Sequence, residues 1–312
     1  MSRLAALLDG VSRTQLARRS AAITRAYRGG VGSEIAVRDR LDALAYATAR
    51  MPATRAAVSQ ALSRLTEAAP DFHATSLLDL GCGCGAAALA ARDAFPDLAR
   101  LTLVDRNAAM LALARELLDD GTRDIGALSL DLRRVADTPR ADLVTLAYVL
   151  VEMDESDACA LALSAFERAR EALVLVEPGT PEGFARLRAA RAALIAAGAH
   201  VAAPCPHTLD CPIRAPDWRH FNIRVQRSRD HLAVKGADVP YEDEPFMYLA
   251  LTRAPCAPSR GRIVARPRRD KAGLAARICT PQGQAREVFV AARDKTASRA
   301  VRRVEEGDLW PL

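Results

Sequence analysis

The chain has 312 residues, 50% hydrophobic and 26% charged, with a formal net charge of +6. That supplies apolar material for one large core or two modest ones. It contains no run of 18 apolar residues, and its first residues are too polar for a signal peptide, so a soluble, cytoplasmic chain with no membrane partner is expected. Seven cysteines, an odd number, argue for free thiols or metal ligands rather than a disulfide framework.

Segments around residues 3–8, 13–27 and 36–49 are rich in Ala, Leu and Arg, with apolar residues at three- and four-residue spacing, which predicts helices. Gly29, Gly30 and Gly32 part the second from the third. Residues 51–54, with Pro52 suited to a helix start, interrupt the chain before a helix over 55–67. Residues 1–70 therefore read as a helical region whose amphipathic helices serve packing or act as a lid.

The centre of the sequence is LLDLGCGCGAAALA, residues 77–90. An apolar run that stops at glycines and opens into a helix offers bare backbone N–H groups and a positive helix end to a ligand. Gly81, Gly83 and Gly85 allow that backbone to approach a cofactor closely. Twenty residues on, LTLV ends in Asp105, placed as the acid that holds a nucleotide ribose by its hydroxyls. Gly81, Gly83 and Ala86 also satisfy the pattern of a nicotinamide dinucleotide loop. Two further acids favour a methyl donor. Asp79, two residues before the first glycine, resembles the acid of the D-x-G-x-G-x-G loop in class I methyltransferases, where it orients the amino acid end of S-adenosylmethionine. Asp131, after the next apolar run, stands where that family contacts the adenine amine.

Strands are predicted over 76–80, 100–104, 127–130, 141–147 and 172–176, with helices between them over 86–94, 108–118 and 156–170. Such alternation implies a parallel sheet covered on both faces, with ligands at the carboxyl ends of the strands. Asp79, Asp105, Asp131, Tyr148 and Glu177 fall on that rim. The segment AYVLVEM after the fourth strand contains neither the Asn/Asp-Pro-Pro-aromatic tetrapeptide of base-amine methylators nor the Pro-Cys of cytosine-carbon methylators. Tyr148 serves there either as a packing surface for substrate or cofactor or as a plain rim aromatic. Glu152 is the only carboxylate of that segment, a helix-start charge or a catalyst.

Cys205 and Cys211 follow in a proline-dense loop, PCPHTLDCP, either as ligands of one metal or cluster or as two buried inert thiols. FMYLALTR then reads as a late strand of the main sheet. The rest is β-rich and split by Pro267, Gly273 and the turn at Pro281 to Gly283, a small appendage expected to close over the cysteine loop. Between Arg260 and Arg303 lie 13 basic residues against Asp270, Glu287 and Asp294, a local net of +10, so the remainder of the chain carries −4. That asymmetry points to a polyanion, RNA foremost, with a solvated basic surface as the alternative.

Residues 45–62, the glycine loop, LVEPGTPEGF, PCPH followed by CP, DWRHF and KGADVPYEDEPFMYLAL occur in consistent order. Together they resemble the methyltransferase-like assembly factors of the small ribosomal subunit, found in mitochondria and bacteria. The resemblance implies a Rossmann-like class I methyltransferase sheet over 71–255, with a cysteine-containing insertion at 201–235, an N-terminal helical region and a basic β-rich region over 256–312. It also implies binding of S-adenosylmethionine, contact with the small subunit's rRNA, a monomer, and a 4Fe-4S cluster. Cys205, Cys211 and Cys279 match three of the family's four cluster cysteines. Arg219 stands where the other should be, and a guanidinium cannot ligate iron. His220 or Cys256 completing the set, a three-thiolate, one-histidine zinc site, or a lost site are the options. A non-catalytic assembly factor and a small-molecule methyltransferase are the competing functions.

Overall fold

Every residue of β1 (Ser76–Leu80) is buried, and its side chains divide between two cores: Leu77 joins one hydrophobic cluster, Leu78 and Leu80 another. Alternate residues of a strand point to opposite faces, so this strand has to be covered on both sides. The computed structural model, which describes residues 3–29, 32–256 and 260–312, is built around it.

Helices α1 (Arg3–Leu7), α2 (Arg13–Arg28), α3 (Ser33–Ala36) and α4 (Arg40–Ala49) precede the long α5 (Met51–Ala68). Ser12 and Asp39 cap α2 and α4 by accepting from Gln15 N and Asp42 N. The break before α5 falls at Arg50 rather than over 51–54. Pro52 sits in the first turn, where an N–H has no intrahelical partner to lose. Gly29 forms the C-cap of α2, while Gly30 lies outside the described residues.

Beyond β1 the chain alternates through α6 (Ala86–Ala94), β2 (Arg100–Asp105), α7 (Ala108–Leu118), β3 (Asp124–Ser129), β4 (Ala141–Ala147), α8 (Glu155–Arg168), β5 (Ala169–Pro178) and α9 (Pro181–Ala196). The five strands are parallel in the order β3-β2-β1-β4-β5. The direction of winding reverses between β1 and β4, which is where an open sheet of this Rossmann-like kind takes its ligand. Then come β6 (His200–Ala203), β7 (Phe221–Gln226), α10 (Arg229–Lys235) and β8 (Tyr241–Thr252). β8 inserts antiparallel between β5 and β6, and its first half pairs with β7.

One core joins α2, α4, α5, α6 and α7 to one face of the sheet, and the other joins α8 and α9 to the opposite face. In β5, Ala172, Val174 and Val176 serve the first, Leu173 and Leu175 the second. Each fully buried Leu or Val contributes roughly 1.5–3 kcal/mol relative to exposure. β3, the edge strand, starts at Asp124 rather than at Ala127. Its burial alternates instead of being continuous, so its apolar signal is weak.

The C-terminal appendage is a second, antiparallel sheet of β9 (Arg262–Ile263), β10 (Arg268–Arg269), β11 (Gly273–Cys279) and β12 (Ala285–Ala291), followed by α11 (Lys295–Ala300). It has its own core of Ile263, Leu274, Ala276, Ile278, Val290, Val301, Val304 and Trp310. Charged side chains fasten it to the main body. The Arg262 guanidinium, 1% exposed, donates to Glu67 Oε2 on α5, to Pro204 O and to Gly307 O. Arg64 meets Asp308 at 2.5 Å and Arg277 meets Asp217 at 2.5 Å. Among the described residues, no helix is long and apolar enough to cross a membrane.

Candidate cofactor site

The glycine loop folds back over the end of β2. Gly81 N and Cys82 N both donate to Val104 O, at 2.8 and 3.0 Å. Gly81 has φ +68°, and a Cβ built there would lie 2.5 Å from Val149 Cγ2, so this turn needs glycine for both conformation and space. Gly83 N donates to Asp105 Oδ2 and Asn107 N to Asp105 Oδ1, each at 2.8 Å. One carboxylate thus ties loop to strand. Burial raises its pKa from the ordinary carboxylate value while those N–H groups pull it down.

A cavity of 560 Å³ opens above this loop, within the usual size range of small-molecule sites. Gly81, Gly83, Asp105, Asp131 and Tyr148 all line it. Asp79 and Gly85 do not. Gly85 is the left-handed N-cap residue of α6, pressed against Ala114 and Leu118. Asp79 points away from the cavity: Oδ1 accepts from the Thr145 hydroxyl at 2.7 Å and Oδ2 from Ala88 N at 3.2 Å. The acid expected to orient the cofactor's amino acid end therefore braces β4 and the first turn of α6 beneath the loop. With 1% exposure, its pKa is pushed up to about 7 by burial. Glu177 is likewise fully buried and off the cavity. Its Oε1 accepts from Leu150 N at 2.9 Å, holding the short turn after Tyr148, and burial lifts it to about 8.

Asp131 lies at the cavity edge, and its carboxylate is held low by Arg133, which donates from both its backbone and its guanidinium. Tyr148 has φ +59°, a sparsely populated conformation for a residue with a side chain. Its hydroxyl donates to Glu244 Oε1 at 2.9 Å, and Glu244 in turn faces Arg50 at 3.6 Å. The phenol is thereby committed to β8, and burial holds its pKa well above the ordinary value.

Two lining residues that carry no local signal are Tyr27 on α2 and Tyr46 on α4, ring centroids 6.2 Å apart. With Met51 and Thr54 they make the N-terminal helices one wall of the cavity, the lid role open to them in the sequence. Burial pushes Tyr46 to about 12. Cys82 and Cys84 also face in, and burial raises both thiols far above their ordinary value, so neither is a ready thiolate nucleophile.

The family model described as "Mitochondrial small ribosomal subunit Rsm22" matches residues 40–311. The chain belongs to the Rsm22 family. It is 27% identical over 290 residues to the human "Ribosome assembly protein METTL17, mitochondrial", the match covering 86% of this chain and 62% of that protein. The chain thus spans about three fifths of the length of this curated relative. Solved structures similar to it include magnesium protoporphyrin IX methyltransferase from Synechocystis with bound S-adenosylmethionine, 16% identical over 65% of this chain and 80% of that one, TM-score 0.42. A putative RNA methyltransferase from Pyrococcus horikoshii is 14% identical over 61% and 79%, TM-score 0.42.

The cysteine loop of this Rsm22-family chain does not fit the 4Fe-4S cluster expected at Cys205, Cys211 and Cys279. Cys205, Cys211 and Arg219 line one small void of 20 Å³. Arg219, 9% exposed, donates to Cys205 Sγ at 3.5 Å and lies over the Phe221 ring. A fixed cation sits where a fourth thiolate would be needed. Cys279 is engaged by His207 Nε2 at 3.3 Å, and burial pushes its thiol up to about 12. The two candidate replacements lie elsewhere: His220 stacks on Trp218, and Cys256 pairs with the Thr252 hydroxyl. Among the described residues, no three His, Cys, Asp or Glu side chains converge as metal ligands.

Proposed function

We propose that this chain is an S-adenosylmethionine-binding assembly protein of the small ribosomal subunit, meeting the subunit through its rRNA. The observation that carries the reading is the family match over residues 40–311, which takes in both the glycine loop and the basic C-terminal portion. The donor set suits the cofactor. Asp105 keeps carboxylate lone pairs at the cavity for ribose hydroxyls, the glycine turn lets the backbone come close, and Tyr27, Tyr46 and Met110 supply apolar and aromatic surface. S-adenosylmethionine brings a methyl group activated by a sulfonium. The chain's residues bind and orient it, and the N-terminal helices screen it from water.

Among the described residues at the rim, neither Tyr148 nor the loop thiols stand ready as a general base. Tyr148 is hydrogen-bonded to Glu244, and the loop thiols are buried. This favours assembly without methyl transfer, with the cofactor acting as a ligand that stabilises the loop. Methyl transfer is the second reading, supported by the continuation of the cavity past Tyr148 to Glu152 and Asp157, which leaves room for a substrate beside the donor. The reading is tested by sedimenting the chain with immature small subunits while following the methyl group of labelled S-adenosylmethionine. Co-sedimentation without transfer supports the first reading, transfer to rRNA supports the second, and failure to bind either cofactor or subunit refutes both.

A further inference from the structure

Six of the seven phenylalanines are buried, at 7% exposure or less, and Phe289 alone is 59% exposed. It lies on β12, where strand pairing fixes its surroundings. Arg268 on β10 pairs with Ala275 on β11, and Ala275 with Phe289. Directly paired residues share a face, so Arg268, Ala275 and Phe289 form one row across the sheet. Leu274, Ala276, Ile278 and Val290 take the opposite face and make the appendage's core. Gly273, Ala275 and Ala291 give the outer face a low floor. At Gly273 a Cβ would come within 3.0 Å of the Phe289 ring, so the ring rests on bare backbone there and turns its other side to solvent.

Three cations gather around this ring. Lys271 lies in the turn between β10 and β11, and Arg293 follows β12. Ala292 N donates to Ala272 O, which brings those two ends together beside Gly273 and Ala291. Arg268, Lys271 and Arg293 are exposed, and none forms an ion pair among the described residues. Of the three acids of the segment, two are held by backbone N–H groups, and Glu287, on the outer face two residues before Phe289, stays 69% exposed. Asp270 Oδ1 accepts from Ala272 N and Gly273 N. Glu287 faces Arg277 at 4.0 Å, and Asp294 caps α11 through Ala297 N.

We propose that this outer face is a platform for an unpaired RNA base, stacked on Phe289 with its flanking phosphates on Arg268, Lys271 and Arg293. Sheet-borne aromatics ringed by cations take single-stranded nucleic acid in this way, because every base has a π-face and its backbone is anionic. A base within a duplex is stacked on both sides and cannot reach the ring. The proposal rests on the reading of the chain as an rRNA-contacting assembly protein, and names where and in what form the RNA is met.

The test measures binding of a short, labelled single-stranded oligoadenylate and of a blunt RNA duplex to the full chain, across a salt series. Phe289→Ala should weaken oligoadenylate binding about tenfold with its salt slope unchanged, and Phe289→Trp should restore it. Arg268→Ala should lower the magnitude of the slope by about 0.7. Duplex binding should change little with Phe289→Ala. Wild-type protein that binds oligoadenylate while Phe289→Ala binds it equally well overturns the platform and leaves the rRNA reading standing. So does equal weakening of the duplex. Loss of subunit association in Phe289→Ala with oligoadenylate binding intact assigns the face to a ribosomal protein and also overturns the proposal. Wild-type protein that binds neither RNA nor subunit overturns both.

Discussion

Asp79 separates what the glycine-loop pattern implies from what the fold does with it. In the unfolded chain an aspartate titrates near ~3.9, whereas burial pushes Asp79 to about 7. The native state therefore holds an extra proton between those values, and stability falls as pH rises through that window. A gap of about three pKa units corresponds to a loss on the order of 4 kcal/mol above pH 7. Asp79→Asn removes that titration and can keep both contacts, its Oδ1 accepting from Ala88 N and its Nδ2 donating to the Thr145 hydroxyl oxygen. Urea unfolding at about pH 8 should find the variant at least as stable as wild type, with the gap closing or reversing by about pH 5. At about pH 5.5, where wild-type Asp79 is protonated, the variant reproduces both shape and charge. Calorimetric affinity for S-adenosylmethionine should then agree within about twofold. A loss of about tenfold, or 1.4 kcal/mol, with stability unchanged would place the carboxyl on the cofactor and refute its role as a brace beneath the loop.

Asp105→Ala strands Gly83 N and Asn107 N, at about 1–3 kcal/mol for each buried orphan, and removes the ribose acceptor. Affinity for S-adenosylmethionine should fall by about 30-fold or more by equilibrium dialysis, and unchanged affinity would move the site elsewhere. Gly81→Ala should cost about 1–2 kcal/mol for its left-handed backbone and about 1–3 for the collision with Val149. In a Val149→Ala background only the backbone part should remain, whereas strictly additive costs in urea unfolding would argue against the collision. Because Arg219 holds Cys205 and His207 holds Cys279, chelators should shift the melting temperature by less than about 1 °C. Stoichiometric iron and sulfide that disappear with Cys205→Ser would overturn that expectation.

The helices and strands from β1 to β5, the edge strand β3 only in part, were legible because both faces of the sheet are buried: continuous apolar runs mark its inner strands and a three- to four-residue period marks its helices. The Gly81–Gly83 turn and Asp105 were legible for a related reason. Backbone approach and positive φ leave a glycine signature, and the acid follows its strand at a fixed distance. Local pattern also foretold a β-rich appendage and its charge.

Tertiary structure decided what pairing across distance decides. No spacing within residues 1–70 places Tyr27 and Tyr46 against the glycine loop, since that contact depends on helices docking on the finished sheet. The inward turn of Asp79 depends on Thr145, 66 residues away on β4. The guanidinium among the cysteines depends on the loop bringing Arg219 to Cys205. Phe289 reads as one more core residue until its register with Ala275 and Arg268 turns it outward. Sequence determines which backbone states and faces are favourable, because those are short-range preferences. Which groups meet is set by the packing of whole elements, and the chemistry of this site lies in those meetings.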